Sequence, residues 1–303
     1  MYQLVEFPSA GTTLRGRLYG LRAASRDRAL VIMAHGFSAT ISGMVADRFA
    51  DVFYEAGFAV LLYDHGSFGL SDGLPRCEID AFAQAREYRH ALDFGTSLPG
   101  IDPARMALWG DSLSGAAAIA AAAVDHRVSA VVAQVPACGG EPPPPDVDGL
   151  VFETACRPFL KAAGTPSYAV TRHGPMPVVS CDQSGTPSLL TPITAYRWFI
   201  EYGGRHATQW ENQASVLVAD KPARWLPALC AAHLTAPSLF VISPEDEMPG
   251  ANPQIALYAF DRAPEPKELC EIGGGHFGLL HYPSELFELA SRAETRFLTN
   301  HLG

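Results

Sequence analysis

Short apolar runs alternate with stretches of helical spacing along most of the chain. Residues 3–7 and 12–19 flank a Ser-Ala-Gly turn and predict an antiparallel hairpin. Six further segments predict strands, most of them apolar throughout as in strands buried on both faces, at 29–35, 58–64, 105–110, 128–135, 238–243 and 267–272. Helical patterns cover 44–56, 81–95, 113–123, 253–261 and a last segment from about Pro283. This order predicts an α/β fold with an eight-stranded, mostly parallel sheet and flanking helices.

The segment 138–236 breaks this alternation. It opens with four consecutive prolines at 142–145, which favour an extended chain, and a structureless loop of this length is uncommon in a compact domain. We therefore predict an inserted, mainly helical cap at 138–236 after the sixth strand, with 1–137 and 237–303 forming the core. The cap holds three of the four tryptophans. Its candidates for contacting a substrate are Trp198, Trp210 and Tyr196, while its other aromatic residues are expected to fill its own core.

Composition and charge exclude several classes of protein. Hydrophobic residues make up 48% and charged residues 18% of 303, typical of a globular chain that buries a large core. The net charge of −10 comes without a Lys/Arg cluster, which argues against a nucleic-acid partner. No apolar run approaches the roughly 20 residues of a membrane helix, and the N-terminal residues lack the pattern of a secretory signal. The six cysteines show no metal-ligand spacing, so we expect reduced thiols in a cytoplasmic protein without a metal.

The strongest chemical signal is the heptapeptide Trp109-Gly110-Asp111-Ser112-Leu113-Ser114-Gly115, between a predicted strand and an alanine-rich helix. A nucleophile elbow is a tight strand-to-helix turn that needs small residues two before and two after the nucleophile. Gly110 and Ser114 meet this requirement around Ser112. We therefore predict Ser112 as a nucleophile, with Ser114 as the alternative. A helix-capping role for Ser112 is the structural alternative.

A serine hydroxyl needs a base and an orienting acid, which on this fold follow the serine in the order acid, then histidine. Asp246 follows the predicted strand 238–243, and His276 follows the next strand in a glycine-rich turn, Gly273 to Gly278. These two residues are therefore predicted to complete a triad with Ser112. Glu245 and Glu247 flank Asp246 and remain alternative acids, whereas His281 is expected to lie on the surface or to cap a helix.

An oxyanion hole requires backbone N–H groups that point at the negative oxygen. One is expected from Leu113, directly after the nucleophile. The other is expected from Phe37, in the sequence His35-Gly36-Phe37-Ser38 that follows the third predicted strand. The side chain of His35 is expected to brace this loop.

Together these residues resemble the α/β-hydrolase superfamily along nearly the whole chain: HGF after a strand, GxSxS at an elbow, an Asp after the seventh strand and GGHFG after the eighth. The phrases GLSDG, PRCEID and LPGIDPARMALWG are similar to a dienelactone-hydrolase-like, peptidase S15-like branch that includes fungal polyketide transferases and bacterial esterases and thioesterases. The resemblance implies a Ser-His-Asp triad, an acyl-enzyme and no metal or organic cofactor. Two positions depart from it: Gly66, where related sequences often carry arginine, and Ser114, where they carry glycine.

The leading interpretation is a serine hydrolase that cleaves an ester or thioester with an apolar acyl group. The alternative is an acyltransferase that passes the acyl group from Ser112 to an alcohol or amine, as the resemblance to polyketide transferases implies. A ligand-binding protein with an idle triad is a third class. The expected partner is a small-molecule ester or acyl thioester, with a carrier-bound acyl chain and a homodimer through the cap left open.

Overall fold

A computed structural model describes residues 2–20, 27–160, 169–220 and 223–303. The strands are β1 (Tyr2–Ser9), β2 (Thr12–Tyr19), β3 (Arg28–Ala34), β4 (Ala59–Tyr63), β5 (Glu78–Ile79), β6 (Ile101–Asp111), β7 (Val128–Gln134), β8 (Val170–Met176), β9 (Ala214–Ala219), β10 (Ser238–Ile242) and β11 (Lys267–Glu271). The α-helices are α1 (Ala46–Glu55), α2 (Ala81–Ser97), α3 (Ser112–Ala122), α4 (Leu150–Leu160), α5 (Ile193–Gly203), α6 (Pro227–Cys230), α7 (Pro253–Arg262) and α8 (Glu285–Leu302). Helix α8 begins two residues after Pro283 because Ser284 is its N-cap, accepting a hydrogen bond from the Phe287 N–H.

The main sheet has eight strands in the order β1-β2-β4-β3-β6-β7-β10-β11. Strand β2 runs antiparallel to both of its neighbours, and the pairs from β4 to β11 are parallel. The predicted eight-stranded, mostly parallel sheet is therefore confirmed. Because parallel strands end at the same edge of a sheet, the loops after β3, β4, β6, β10 and β11 meet there, which is where open α/β sheets bind ligands.

Helices cover both faces of this sheet, as continuous apolar strands require. Along β3, Val31 and Met33 pack in the apolar layer that holds α1 and α8, whereas Leu30 and Ile32 pack in the layer that holds α2, α3 and α7. The alanines of α3 are completely buried and let this helix lie close to β6 and β7. In the described ranges, no helix is long and apolar enough to cross a membrane.

The segment 138–236 lies between β7 and β10, and it combines helices with two strands that the sequence did not predict. Besides α4, α5 and the short α6 it contains β8 and β9, which pair antiparallel, and β9 also pairs with β5 outside the segment. The run Ala214–Ala219 favours a strand because Val216 and Val218 are β-branched, and β5 offers it an edge to pair with. Residues 161–168 and 221–222 of this segment lie outside the described ranges.

The aromatic residues of the inserted segment do not form a core of their own. Trp198, Phe199 and Tyr202 of α5 belong to the same apolar cluster as Trp109 of the main sheet, and Phe159 of α4 belongs to the cluster on the opposite face. The Trp198 indole N–H donates to the carbonyl of Leu280 at 2.8 Å. The segment is thus anchored to the main sheet by shared packing.

Candidate active site

Ser112 occupies the sharp turn between β6 and α3 that the sequence predicts. Its backbone has a φ of +53°, a left-handed conformation that is strained for a residue with a side chain. Glycines permit this geometry: a Cβ on Gly110 would lie 2.3 Å from the Ser114 carbonyl oxygen, and one on Gly36 would lie 2.9 Å from the Ser112 Cβ. The turn therefore has the structure of a nucleophile elbow, with the Ser112 side chain facing the cavity described below.

The structure brings Ser112, His276 and Asp246 into one hydrogen-bonded chain. His276 Nε2 lies 3.0 Å from Ser112 Oγ, and His276 Nδ1 lies 2.6 Å from Asp246 Oδ2. The second Asp246 oxygen accepts from the backbone N–H of Met248. The side chains of His276 and Asp246 are almost fully buried. A hydroxyl, an imidazole and a carboxylate at these distances form the arrangement that activates a serine.

The alternative residues lie elsewhere. Glu247 bonds to the backbone N–H of His276 and not to its ring, and Glu245 is exposed to solvent. The ring of His281 packs beside the ring of Tyr202 at 5.7 Å between centroids. Ser114 is completely buried, with its hydroxyl bonded to His65 and to the His35 carbonyl, so it has no access to a substrate.

Phe37 and Leu113, the two predicted oxyanion donors, both line the cavity in front of Ser112. Leu113 is in the first turn of α3, where backbone N–H groups have no acceptor within the helix. Across the described residues, the Phe37 N–H makes no backbone hydrogen bond. Both residues thus border the cavity with backbone N–H groups that have no backbone acceptor among the described residues, and their role as oxyanion donors stays a prediction.

His35 braces the loop that carries Phe37, as expected. Its Nδ1 lies 2.9 Å from an Asp111 carboxylate oxygen, its Nε2 contacts the Met44 carbonyl, and the backbone N–H of Gly36 donates to the same carboxylate at 3.0 Å. Burial acts to lower the pKa of His35, but the carboxylate of Asp111 outweighs it and the pKa is raised. The pair of His35 and Asp111 therefore holds this loop against the end of β6.

Asp64, at the end of β4, connects two loops near the site. Its carboxylate accepts hydrogen bonds from the backbone N–H groups of Ile41 and Leu70, both at 2.9 Å. Burial raises its pKa from 3.8 to about 6, against these two hydrogen bonds, which lower it. Asp64 therefore ties these two loops together and makes no hydrogen bond to Ser112.

Ser112 and His276 open onto a cavity of about 650 Å³. Its described walls are almost entirely apolar. The polar residues that line it are Ser112 and His276, the His35–Asp111 pair and Arg224. The inserted segment supplies much of the wall: Leu189, Leu190, Trp198, Phe199, Val216, Leu217, Val218, Ala219, Ala223, Trp225 and Leu226. A cavity of this size and character suits an apolar acyl group.

Of the three aromatic residues predicted to contact a substrate, only Trp198 lines this cavity. Trp210 and Tyr196 do not line it, and their contact with a substrate stays a prediction. The ring of Trp210 stacks on Phe199 at 5.4 Å, and its indole nitrogen lies 3.4 Å from Ser38 Oγ, behind the cavity wall. Tyr196 packs at the margin of the apolar cluster that holds Phe199. Helix α5 thus presents one aromatic face to the cavity and uses the other for packing.

Two parts of the site were missed in the sequence. Strand β9 and Trp225 form a wall of the cavity, and the apolar run from Val216 to Val218 was the available signal for the strand. The buried cluster of His65, Glu87 and Ser114 was missed because its members lie far apart in the chain and each is ordinary in its own segment.

The sheet order, the elbow and the serine-histidine-aspartate chain define an α/β hydrolase. The α/β hydrolase GrgF from Penicillium sp. sh18 shares this fold with a TM-score of 0.73 at 26% sequence identity, covering 100% of this chain and 99% of that one. The family described as "Serine aminopeptidase, S33" matches residues 25–187. The chain belongs to this family of α/β hydrolases.

Curated relatives match over the full length. The polyketide transferase claH of Penicillium crustosum is 31% identical over 310 residues, covering 100% of this chain and 98% of that protein. The thiohydrolase aneE of Aspergillus aculeatus is 32% identical over 310 residues, covering 99% and 94%. The expected likeness to α/β hydrolases and fungal polyketide transferases is confirmed, while the matching family carries the S33 description and not the S15 description.

Proposed function

We propose that the protein is a serine hydrolase that cleaves an ester or thioester with an apolar acyl group. The observation that carries this proposal is the chain from Ser112 Oγ to His276 Nε2 at 3.0 Å and from His276 Nδ1 to Asp246 at 2.6 Å. Membership of a hydrolase family and the thiohydrolase named among its relatives support the same class.

In the proposed mechanism, Ser112 Oγ attacks the acyl carbonyl carbon while His276 Nε2 takes the hydroxyl proton. The carbonyl oxygen becomes an oxyanion that accepts hydrogen bonds from the N–H groups of Phe37 and Leu113. When the intermediate collapses, the bond to the alcohol or thiol breaks and His276 returns the proton to that leaving group. Asp246 holds the imidazole in the required tautomer and stabilises its charged form.

Water completes the cycle by attacking the acyl-enzyme, with His276 again acting as base and then acid. The second tetrahedral intermediate releases a free acid and restores the Ser112 hydroxyl. The apolar walls of the cavity support an apolar acyl group, because each buried methylene contributes about 0.8 kcal/mol of binding.

Acyl transfer to an alcohol or amine is the second candidate. The polyketide transferase named among the relatives and the apolar, partly enclosed cavity favour it, because a site that holds water off lets another nucleophile resolve the acyl-enzyme. Within this proposal the segment 138–236 acts as a cap that sets the acyl specificity. A carrier-bound acyl thioester is a further substrate candidate, since the exposed Arg224 on the cavity wall suits a phosphate of the carrier arm.

A cytoplasmic location belongs to the same proposal and is supported by six free thiols, four of them buried. The sequence leaves a homodimer open, and sedimentation equilibrium of the purified protein would test it.

The experiment that tests the proposed function is intact-mass analysis after mixing with octanoyl thioester, with free octanoate measured in parallel. Ser112→Ala should abolish both the acyl adduct and the acid, a loss of about 10⁴-fold or more in turnover. Ser184→Ala, at an exposed serine outside the cavity, is the matched control and should behave as wild type. Unchanged turnover in Ser112→Ala would overturn the proposal. A lasting adduct that is released only when an alcohol or amine is added would favour the transferase.

A further inference from the structure

A second serine–histidine–carboxylate set lies beneath the elbow. Ser114 Oγ is 2.8 Å from His65 Nε2, and His65 Nδ1 is 2.6 Å from Glu87 Oε2. All three residues are buried, and Ser114 has no exposed surface at all. The set resembles a triad in its contacts but cannot meet a substrate, so its role must be exerted through the residues that it touches.

The protons available in this set determine which of its groups donate hydrogen bonds and which accept them. An ionised carboxylate only accepts hydrogen bonds, so Nδ1 of His65 carries a proton directed at Glu87. The single Ser114 proton goes to the carbonyl oxygen of His35, 2.6 Å away, because a carbonyl cannot donate. Ser114 Oγ therefore accepts from the Nε2–H of His65. The network runs from Glu87 through His65 and Ser114 to the main chain of His35.

The end of this network lies between the two proposed oxyanion donors. Leu113 immediately precedes Ser114, and Phe37 is two residues after His35. The two segments are joined on the other side as well, because the Asp111 carboxylate accepts from the Gly36 N–H at 3.0 Å. The loop after β3 is thus bonded to the elbow at Asp111, one residue before Ser112, and at Ser114, two residues after it. Oxyanion donors act only when they lie about 2.7–3.1 Å from the charged oxygen, so these two attachments control their spacing.

We propose that Ser114, held by His65 and Glu87, is a positioning residue that sets the spacing of the Phe37 and Leu113 N–H groups in the oxyanion hole. The inference rests on the proposed function. The loop after β4, which carries His65, and helix α2, which carries Glu87, thereby contribute to transition-state stabilisation. Neither His65 nor Glu87 reaches the cavity.

The test compares wild type, Ser114→Ala, Glu87→Gln and the double variant in ester hydrolysis. Ser114→Ala should lower kcat by about tenfold to a hundredfold, which is less than the 10²–10³ loss for removal of a whole donor, and should leave KM within about twofold. Glu87→Gln should give a similar loss. The uncharged amide makes a weaker hydrogen bond to His65 than the carboxylate does, so the ring, and through it the Ser114 hydroxyl, is held less firmly against the His35 carbonyl. Since one network carries both effects, the double variant should be no worse than Ser114→Ala.

Inhibition separates positioning from general damage to the fold. A trifluoromethyl ketone adds to Ser112 and forms an oxyanion, so its inhibition constant should rise in proportion to the loss of kcat. Octan-1-ol, which fills the apolar cavity but carries no negative oxygen, should bind to each variant as it does to wild type. Ser291→Ala, at a buried serine of α8 outside the site, is the control and should change neither constant. If Ser114→Ala does not fold, Glu87→Gln carries the same test.

Unchanged kcat in both single variants, equal weakening of ketone and octan-1-ol binding, or a double variant with the product of the single losses would each overturn the inference. Ser112→Ala is measured beside them. If it loses turnover while the Ser114 variant does not, only this inference fails; if it retains turnover, the proposed function fails and the inference fails with it.

Discussion

Glu247 holds the main chain of His276: a Glu247 carboxylate oxygen accepts a hydrogen bond from the His276 backbone N–H at 2.9 Å. The other oxygen of Glu247 accepts from the hydroxyl of Thr194 at the start of α5, in the inserted segment. Asp246, one residue earlier, bonds to the ring of the same histidine. Two adjacent carboxylates therefore act on one histidine in different ways, and this difference can be measured.

Asp246→Asn should lower kcat by about 10³–10⁴-fold, because an amide neither fixes the required tautomer nor stabilises the imidazolium. Glu247→Gln should lower kcat by less than about tenfold, because its amide oxygen can still accept from the His276 N–H. Steady-state kinetics with a medium-chain ester on both folded variants checks this order. A larger loss in the Glu247 variant would assign the acid of the triad to Glu247.

Acyl-chain selectivity should depend on the wall formed by β9. Ala219→Phe places a ring in the cavity and should shift the preferred substrate towards shorter acyl chains, because each methylene that no longer fits forfeits about 0.8 kcal/mol, or about fourfold in kcat/KM. The measurement is kcat/KM over a series of p-nitrophenyl esters. Ala104→Phe, at an exposed position outside the cavity, should leave the profile unchanged. An identical profile in both variants would mean that the acyl chain does not bind against β9.

Arg224 should matter only for substrates that carry phosphate. Its exposed side chain lines the cavity, and among the described residues it makes no ion pair. Arg224→Gln should therefore raise KM for an acyl-coenzyme A severalfold and leave KM for the neutral N-acetylcysteamine thioester unchanged. The lost bond between the guanidinium and the phosphate is charge-assisted and worth about 1.5–3 kcal/mol at most. Arg157→Gln, an exposed arginine away from the cavity, is the control. Equal effects on both thioesters would contradict a role in binding phosphate.

The main sheet and the triad could be predicted because each depends on local signals. Apolar runs mark the buried strands, and the small residues around Ser112 meet a steric requirement of the elbow that the structure shows at Gly110. Asp246 and His276 follow from the order of strands, since residues after neighbouring parallel strands converge at one edge. Strand and helix bounds accordingly differ from the prediction by only a few residues.

The inserted segment was harder to predict because its structure depends on partners from elsewhere in the chain. Strand β9 forms between β8 and β5, a two-residue strand that carries no periodic signal, so its pairing partners decide that it becomes a strand. The same reason explains why Trp210 and Tyr196 lie outside the cavity lining although the sequence predicts substrate contacts for them. Apolarity shows that an aromatic residue is buried, but which neighbour it packs against is settled by tertiary contacts such as the stack on Phe199.

Glu294 makes the stability of the protein depend on pH. It is fully buried in α8, where one oxygen accepts from the indole N–H of Trp109 at 3.0 Å. Its other oxygen is without a partner among the described residues. Burial raises the pKa of Glu294 well above its usual value of 4.5; the Trp109 hydrogen bond lowers it, and nearby Asp111 raises it further. The native state therefore keeps a proton that the unfolded chain loses as the pH rises above about 4.5.

Because the native state binds the extra proton, the contribution of Glu294 to stability is present at low pH and falls as pH rises, by up to about 1.4 kcal/mol per pH unit until the native pKa is reached. Glu294→Gln keeps the bond to Trp109 and has no such dependence. The measurement is the free energy of unfolding of this variant in urea, minus that of wild type. This difference should grow by more than about 1 kcal/mol from pH 5 to pH 8. The titration of Asp64 contributes equally to both proteins and cancels. Glu288→Gln, at an exposed position of the same helix, should give a constant difference. A constant difference for Glu294→Gln would instead mean that this carboxyl group is ionised in the native protein.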